Sequence, residues 1–355
     1  MEPLSARRRA VGIVPTVQPA RGRARAGRVF RLRVARDTVL AIALGWLLLL
    51  SVMAARASGP AVSRRVRTSA GENAHRAASG RPYARAPAPQ QVHIRLRMRL
   101  RSGLLFNVRT GQVLWSRSPG AVLPIASLTK MMTALIVVSR LRPTDTALIT
   151  KQAVHFSGSG MGVLPLHKRV LVKTLLYGLL LPSGNDAAIA LAQRVAGSRG
   201  RFIAMMNARA RAMGLTCTHF TTVSGIIDRG NHSCTRDLAI LAHAVLEQPL
   251  LARIVSSSFA VEPLPIKGGK TFLYDNNPLV IERYRGVDGV KTGYTSAAGQ
   301  CLVATARRGN VWLGVVLLNS ANIALQGERL LNSGFAALAP PKPSRKGHRS
   351  RANRH

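Results

Sequence analysis

The sequence predicts an α+β fold in which strands from both ends of one domain close a single, mostly antiparallel sheet around a helical middle. Three observations predict it. Residues 92–101, VHIRLRMRLR, alternate apolar and polar with a period of two. Helical patterns then occupy much of 126–247. Apolar strand-like runs return at 287–294, at Gln300 and at Val311.

The elements follow in order. The first strand puts Val92, Ile94, Leu96, Met98 and Leu100 on one face and His93, Arg95, Arg97, Arg99 and Arg101 on the other. GLLFNVRTGQVLWS reads as two strands about a turn at Thr110-Gly111. The pattern becomes helical at Ala126 and runs to about Leu141, where RPTD stops it. Further helices are expected over about 170–181, 185–196, 200–213 and 235–247. After the C-terminal strands a last helix runs from about Ala321 to Leu338. There is no internal repeat.

The 355 residues carry a net charge of +39, spread unevenly. Residues 1–101 hold 21 Lys+Arg against three acids, and 340–355 hold six against none. Such charge invites a nucleic-acid reading. Aromatics are only 5%, however, and neither paired zinc-finger spacings nor an RNA-binding aromatic motif is present. No nucleic-acid partner is expected. Solvated arginine-rich tails and attraction to an anionic envelope surface account for the charge instead.

Residues 38–55, TVLAIALGWLLLLSVMAA, are uncharged and follow ten arginines; ARA (Ala55 to Ala57) comes next. That is a positive n-region, an apolar h-region and a small-x-small cleavage site. The run is also long enough to span a bilayer. It reads either as a cleaved export signal or as a retained anchor, and both place the rest of the chain outside the cytoplasm. Residues 58–91, rich in Arg, Ala, Pro, Ser and Gly without periodicity, read as a disordered linker, and 340–355 as a basic disordered tail.

Nine of the 52 basic residues are lysine, so a lysine in an apolar stretch suggests a task arginine cannot perform. Lysine can lose its proton when desolvated or crowded by positive charge; arginine does not. In IASLTKMMTALIVV, Ser127 and Lys130 stand one helical turn apart at a helix N-terminus. The positive dipole end there disfavours the ammonium and favours negative charge on a substrate oxygen. A plain N-cap serine would also explain Ser127. Ser183-Gly184-Asn185 forms a small polar loop between two apolar helices, where an N-cap is an equal explanation. Lys291-Thr292-Gly293 lies on a strand flanked by glycines, suited to binding an extended anionic peptide or to an ordinary edge strand.

Together, S-x-x-K, then S-x-N, then K-T-G form a motif set shared by class A β-lactamases and penicillin-binding proteins. Residues 92–338 resemble the serine D-alanyl-D-alanine carboxypeptidases, the low-molecular-mass penicillin-binding proteins. The resemblance includes TGQVLW, SGSGM at 157–161, LLYGLLLPSGNDAAIALA, MNARARAMGLTCTHF and GVKTGYTSAAGQCLVATA. It implies the β-lactamase/penicillin-binding-protein-like transpeptidase fold with a helical subdomain, a carboxypeptidase domain at 92–339, and no cofactor or metal. It also implies peptidoglycan stem peptides ending in D-Ala-D-Ala as substrate, with β-lactams as covalent inhibitors.

The implied catalytic residues are Ser127 as nucleophile, Lys130 as its base and Ser183 as proton relay to the departing D-Ala. The implied substrate-binding residues are Asn185 for the substrate amide, Lys291 for the electrostatics, Thr292 for the terminal carboxylate, and Gly293 and Tyr294. The backbone N–H groups of Ser127 and Tyr294 would form the oxyanion hole, where one donor is worth ~3 kcal/mol. Lys291 crowding Lys130 is a further reason for a neutral Lys130.

Some features depart from the resemblance. The chain ends in APPKPSRKGHRSRANRH, without the second β-rich domain or amphipathic anchor of many members. Attachment is therefore expected through 38–55 or through tail charge. Asn107 stands where an acidic residue is common, and SCT (Ser233, Cys234, Thr235) where STA is usual. Cys217, His219, His232 and Cys234 form a C-x-H…H-x-C pattern. Within the resemblance a Cys217–Cys234 disulfide ranks first, buried thiols second and zinc third. Cys301 reads as a core residue.

Two rival functions stay open. A class A-like β-lactamase needs a deacylating glutamate, and Glu247, Glu262 and Glu282 all lack the E-x-x-L-N setting. A catalytically silent envelope-binding protein would not require the three motifs to be intact.

Overall fold

The computed structural model describes residues 98–226 and 229–339. The expected leader, linker, basic tail and first part of the strand from Val92 lie outside the described residues. The strands are β1 (Leu100–Asn107), β2 (Val113–Arg117), β3 (Leu123–Pro124), β4 (Thr146–Leu148), β5 (Arg169–Leu171), β6 (His232–Ser233), β7 (Phe259–Pro263), β8 (Lys270–Tyr274), β9 (Val287–Thr295), β10 (Gly299–Arg308) and β11 (Val311–Ser320). The helices are α1 (Lys130–Arg140), α2 (Lys151–Val154), α3 (Val172–Leu180), α4 (Asn185–Ala196), α5 (Arg199–Ala212), α6 (Thr235–Leu246), α7 (Pro249–Val255), α8 (Pro278–Ile281) and α9 (Ile323–Ala337).

The main sheet has the order β2-β1-β11-β10-β9, with every neighbouring pair antiparallel. The first strand thus pairs with the last, as Leu104 opposite Val316 shows. This is the closure by both chain ends that the pattern of strands predicts. The side-chain period of two divides the sheet's apolar residues between two layers. Leu105, Leu302, Val315 and Leu317 pack with Leu330 and Leu331 of α9. Leu104, Phe106, Val303 and Val316 join the larger core of the remaining helices.

Helix α1 lies in that larger core. Every residue from Lys130 to Val137 is buried, so the helix is covered on all sides rather than along one stripe. A lysine there is surrounded by apolar matter, which sets up its chemistry.

Several boundaries differ from the expected ones. A single strand, Leu100–Asn107, runs across the expected break between the 92–101 strand and GLLFNV; from Ser102 to Phe106 both of its faces are buried, so alternation is lost there. The helix expected from Ala126 opens as a 3₁₀ turn, Ala126–Thr129, and becomes α-helical at Lys130. Ala126 has φ +46°, which an α-helix does not accommodate. Helix α7 and the β7–β8 hairpin were not foreseen.

Cys217 and Cys234 form a disulfide with their Cα atoms 5.5 Å apart. It ties the segment after α5 to the N-terminus of α6, next to the β3–β6 pair that leads into Ser127. With its sulfurs joined, this pair does not supply thiolate ligands, and Asp237 accepts hydrogen bonds from Cys217 N and Thr218 Oγ1 instead. Replacing both cysteines by serine is expected to cost about 3 kcal/mol for a loop of this length. Urea denaturation of the intact protein would measure it, and an unchanged midpoint would contradict it. Cys301 is buried in β10, as expected.

Candidate active site

Three segments converge where the 3₁₀ turn, the loop before α4 and strand β9 meet. They surround a cavity of about 680 Å³ lined by Ser127, Ser183, Thr292, Gly293 and Tyr294 among others. Its lining is neutral. Two lysines, Lys130 and Lys291, lie buried next to Ser127 and Thr292.

Lys130 Nζ lies 2.8 Å from Ser127 Oγ and 2.8 Å from the carbonyl oxygen of Ser224. The side chain has no solvent exposure. Burial pushes its pKa well below the ordinary lysine value, and the charge of Lys291 pushes it further, while Asp186 opposes the shift. A buried amine disposed to give up its proton, facing a serine hydroxyl, is the arrangement a general base requires.

The Ser224 carbonyl is held in place by its own loop. Thr222 Oγ1 accepts from Ser224 N and Gly225 N, and Thr133 Oγ1 donates to the Val223 carbonyl at 2.7 Å. Gly225 has φ +82°, and a Cβ there would overlap the Ala126 carbonyl. Only glycine combines that φ with that approach. The loop therefore seats directly on the turn carrying Ser127.

Ser183 also has a left-handed φ, +65°. Its hydroxyl is buried and has no hydrogen-bond partner among the described residues. Such strain in a non-glycine residue costs of order 1–3 kcal/mol and is typical of functional positions. Asn185 is placed differently. Its Nδ2 donates to the Ser157 carbonyl at 2.6 Å, and it lines a neighbouring cavity of about 750 Å³ rather than that of Ser127. Its Oδ1 is buried without a partner among the described residues.

Asp186 follows Asn185 in the first turn of α4. Buried at the start of α4, its carboxylate accepts from Met161 N at 3.0 Å and Gly162 N at 3.1 Å, so it clamps the 157–162 loop to the site.

Strand β9 supplies the third segment. Gly293 passes so close to the 3₁₀ turn that a Cβ would stand 3.0 Å from both Ile125 O and Ser127 N. Thr292 Oγ1 donates to Asn276 Oδ1 at 2.6 Å, and Asn276 also lines the cavity. Tyr294 is largely exposed at the rim. Lys291 is buried, and its Nζ has no hydrogen-bond partner among the described residues.

Burial lowers the Lys291 pKa to about 8, partly offset by Asp275; burial raises Asp275 to about 6 despite hydrogen bonds and the charge of Lys291. Linkage gives these shifts opposite signs. Between about 8 and the ordinary 10.5 the unfolded chain binds more protons at Lys291, so stability gains from that group as pH rises. Between 3.8 and about 6 the folded protein binds more at Asp275, so stability loses there as pH rises. Lys291→Met should remove the alkaline gain from a plot of Tm against pH; a parallel displacement with the slope intact would contradict it.

Asn276, Asp275, Asp186, Ser224 and Gly225 are the residues that sequence reasoning missed. Glu247, Glu262 and Glu282 do not line the Ser127 cavity, and Glu262 pairs with Lys173 at 3.0 Å.

The family model described as D-alanyl-D-alanine carboxypeptidase matches residues 88–322. The chain is 33% identical over 216 residues to the D-alanyl-D-alanine carboxypeptidase DacF of Bacillus subtilis, covering 59% of this chain and 55% of DacF. It is 34% identical over 260 residues to DacC of Escherichia coli, covering 68% and 64%. The chain thus spans less than two thirds of these relatives' length. Among solved structures, the Streptomyces K15 DD-transpeptidase superposes with a TM-score of 0.64 at 30% identity, covering 68% of this chain and 99% of the other. A D-alanyl-D-alanine carboxypeptidase from Mycobacterium tuberculosis gives 0.63 at 30%, covering 68% and 94%. An α+β penicillin-binding-protein fold is what these likenesses share with the present structure, and the chain belongs to the D-alanyl-D-alanine carboxypeptidase family.

Proposed function

We propose that the protein is a serine-type D-Ala-D-Ala carboxypeptidase that removes the terminal D-Ala from peptidoglycan stem peptides. The observation that carries this reading is the 2.8 Å approach of a buried, charge-suppressed Lys130 amine to Ser127 Oγ. In the proposed reaction Lys130 takes the hydroxyl proton as Oγ attacks the penultimate D-Ala carbonyl. The oxyanion that forms is received by backbone N–H groups of Ser127 and Tyr294, beside the close approach of Gly293. Collapse breaks the peptide bond, and Ser183 passes the proton to the departing D-Ala amine. Water then attacks the ester carbonyl and releases the shortened peptide and free Ser127.

Lys291 and Thr292 bind the terminal carboxylate. Because Thr292 spends its proton on Asn276 in the resting site, that hydroxyl turns toward the substrate on binding. Asn185 offers its unpaired Oδ1 to a substrate N–H. Residues 38–55 direct the chain to the envelope, as signal or anchor. The domain division at 57/58, 91/92 and 339/340 belongs to the same reading.

The test is intact mass spectrometry of the protein after brief exposure to benzylpenicillin, with Ser127→Ala alongside. One stable adduct, absent from the variant, is expected, followed by release of D-Ala from a soluble D-Ala-D-Ala peptide. No adduct with unchanged drug overturns the enzyme reading in favour of a silent binding protein. Rapid drug hydrolysis without an adduct indicates a β-lactamase.

The pH profile of kcat/KM provides a further check. The rate should rise with pH as Lys130 loses its proton and fall through about 8 as Lys291 loses its own. A rate still climbing at pH 10 would remove Lys291 from the role of cation.

A further inference from the structure

The β7–β8 hairpin has one dry face and one bare face. Glu262, Thr271 and Leu273 point inward, where Glu262 pairs with Lys173. Thr174 Oγ1 adds a hydrogen bond to the Pro263 carbonyl at 2.9 Å. The outward face carries Phe259, Val261, Phe272 and Tyr274, which remain 45, 44, 53 and 62% exposed. Phe259 stands opposite Tyr274, and Val261 opposite Phe272. The Phe259 ring lies 5.3 Å from that of Tyr274 and 6.4 Å from that of Phe272, nearly parallel to the latter at 17°. Lys270 extends its ammonium over Phe272, 5.6 Å from the ring centre. A two-stranded hairpin is marginal by itself. Holding one with a paired charge while leaving three aromatic rings in water marks a contact surface.

The position of this surface says what it contacts. Tyr274 ends β8 and is two residues from Asn276, which lines the Ser127 cavity and holds Thr292. The aromatic strip therefore starts at the mouth of the cleft and leads away from it. β8 is five residues long, roughly 17 Å at the usual rise. A stem peptide extended by four residues from the scissile bond reaches about 14 Å. With its D-Ala end in the cavity, its sugar-bearing end reaches the strip. A pyranose ring presents a face of C–H bonds, which carry partial positive charge and suit the negative face of an aromatic ring.

We propose that the Phe259–Phe272–Tyr274 face of the β7–β8 hairpin is a platform for the glycan strand of peptidoglycan, so that the enzyme takes polymeric wall in preference to free peptides. This rests on the proposed carboxypeptidase reading for the choice of polymer. The surface contributes affinity for the polymer and no chemistry.

The test compares the full-length protein with Phe259→Ser/Phe272→Ser/Tyr274→Ser and with Tyr274→Ser alone. Each is assayed by co-sedimentation with purified sacculi, by D-Ala release from sacculi and from a soluble D-Ala-D-Ala tripeptide, and by benzylpenicillin acylation. The triple variant should lose about tenfold or more in sacculus binding and turnover, the scale of truncating interface anchors. Its acylation and tripeptide turnover should stay unchanged, which also certifies its fold, and Tyr274→Ser should fall between. Unchanged sedimentation and sacculus turnover overturn the proposal. So does loss of binding to phosphatidylglycerol vesicles with sacculus binding intact, which would assign the face to a lipid surface. A wild-type dimer that the triple variant abolishes, with sacculus binding intact, assigns it to a second copy and equally overturns the proposal. Failure of wild-type acylation would instead sink the enzyme reading and leave the sedimentation result to stand by itself.

Discussion

Lys130→Arg is expected to slow acylation of Ser127 by benzylpenicillin by about 10⁴-fold, the scale of losing a member of a catalytic triad. The two side chains differ in whether they can give up a proton, so the loss would be one of basicity. Lys130 has no solvent exposure, and burial together with Lys291 holds its pKa well below the ordinary value. A guanidinium in the same place keeps its proton and cannot take one from Ser127 Oγ. Lys130→Met, which is also unable to accept a proton but carries no buried charge, should match it in rate while folding more stably. A mass-spectrometric time course of adduct formation measures both. If Lys130→Arg kept even a tenth of the wild-type rate, Lys130 would not be the base.

Gly225→Ala should be the most damaging small substitution in the molecule, destabilising it by about 3 kcal/mol or more, within the exceptional tail of single mutations. At φ +82° an alanine is strained, and its methyl would collide with the Ala126 carbonyl and approach Thr129 Oγ1 at 2.8 Å. Relief requires the 222–225 loop to back away from the turn carrying Ser127. That movement takes the Ser224 carbonyl from Lys130 Nζ, so acylation should fall by about 10²-fold as well. Thermal unfolding should show a Tm lower by roughly 6–12 °C for a domain of this size. A Tm within a degree of wild type would mean that the loop yields freely and does not hold the lysine.

The parts of this site that the sequence made legible share a property. Ser127, Lys130, Ser183, Lys291 and Thr292 enter the site through side chains whose types and spacing are visible along the chain. The sheet was legible because alternation and apolar runs occur at both ends of the domain. What stayed hidden acts through backbone or through distance. The Ser224 carbonyl has no signature in a sequence, and Gly225 looks like any loop glycine until Ala126 is placed against it. Asp186 resembled an ordinary first-turn acid because Met161 and Gly162, its partners, are more than twenty residues away. Asn185 matched its motif, but its hydrogen bond to Ser157 draws it toward the neighbouring cavity. The β7–β8 hairpin escaped because its strands are five residues each and one face is aromatic in water, contrary to the usual inward placement.

The pairing of β1 with β11 has a consequence in time. A chain that appears N-terminus first presents Leu104, Leu105 and Phe106 on a strand whose partner, Val311–Ser320, is made some two hundred residues later. Contacts so distant in sequence impose a slow search and leave a sticky edge uncovered meanwhile. The domain cannot close its sheet during synthesis and must stay open until nearly its whole length is free. Under the proposed envelope location that delay would be an advantage, because the strand that locks the fold is among the last parts to emerge.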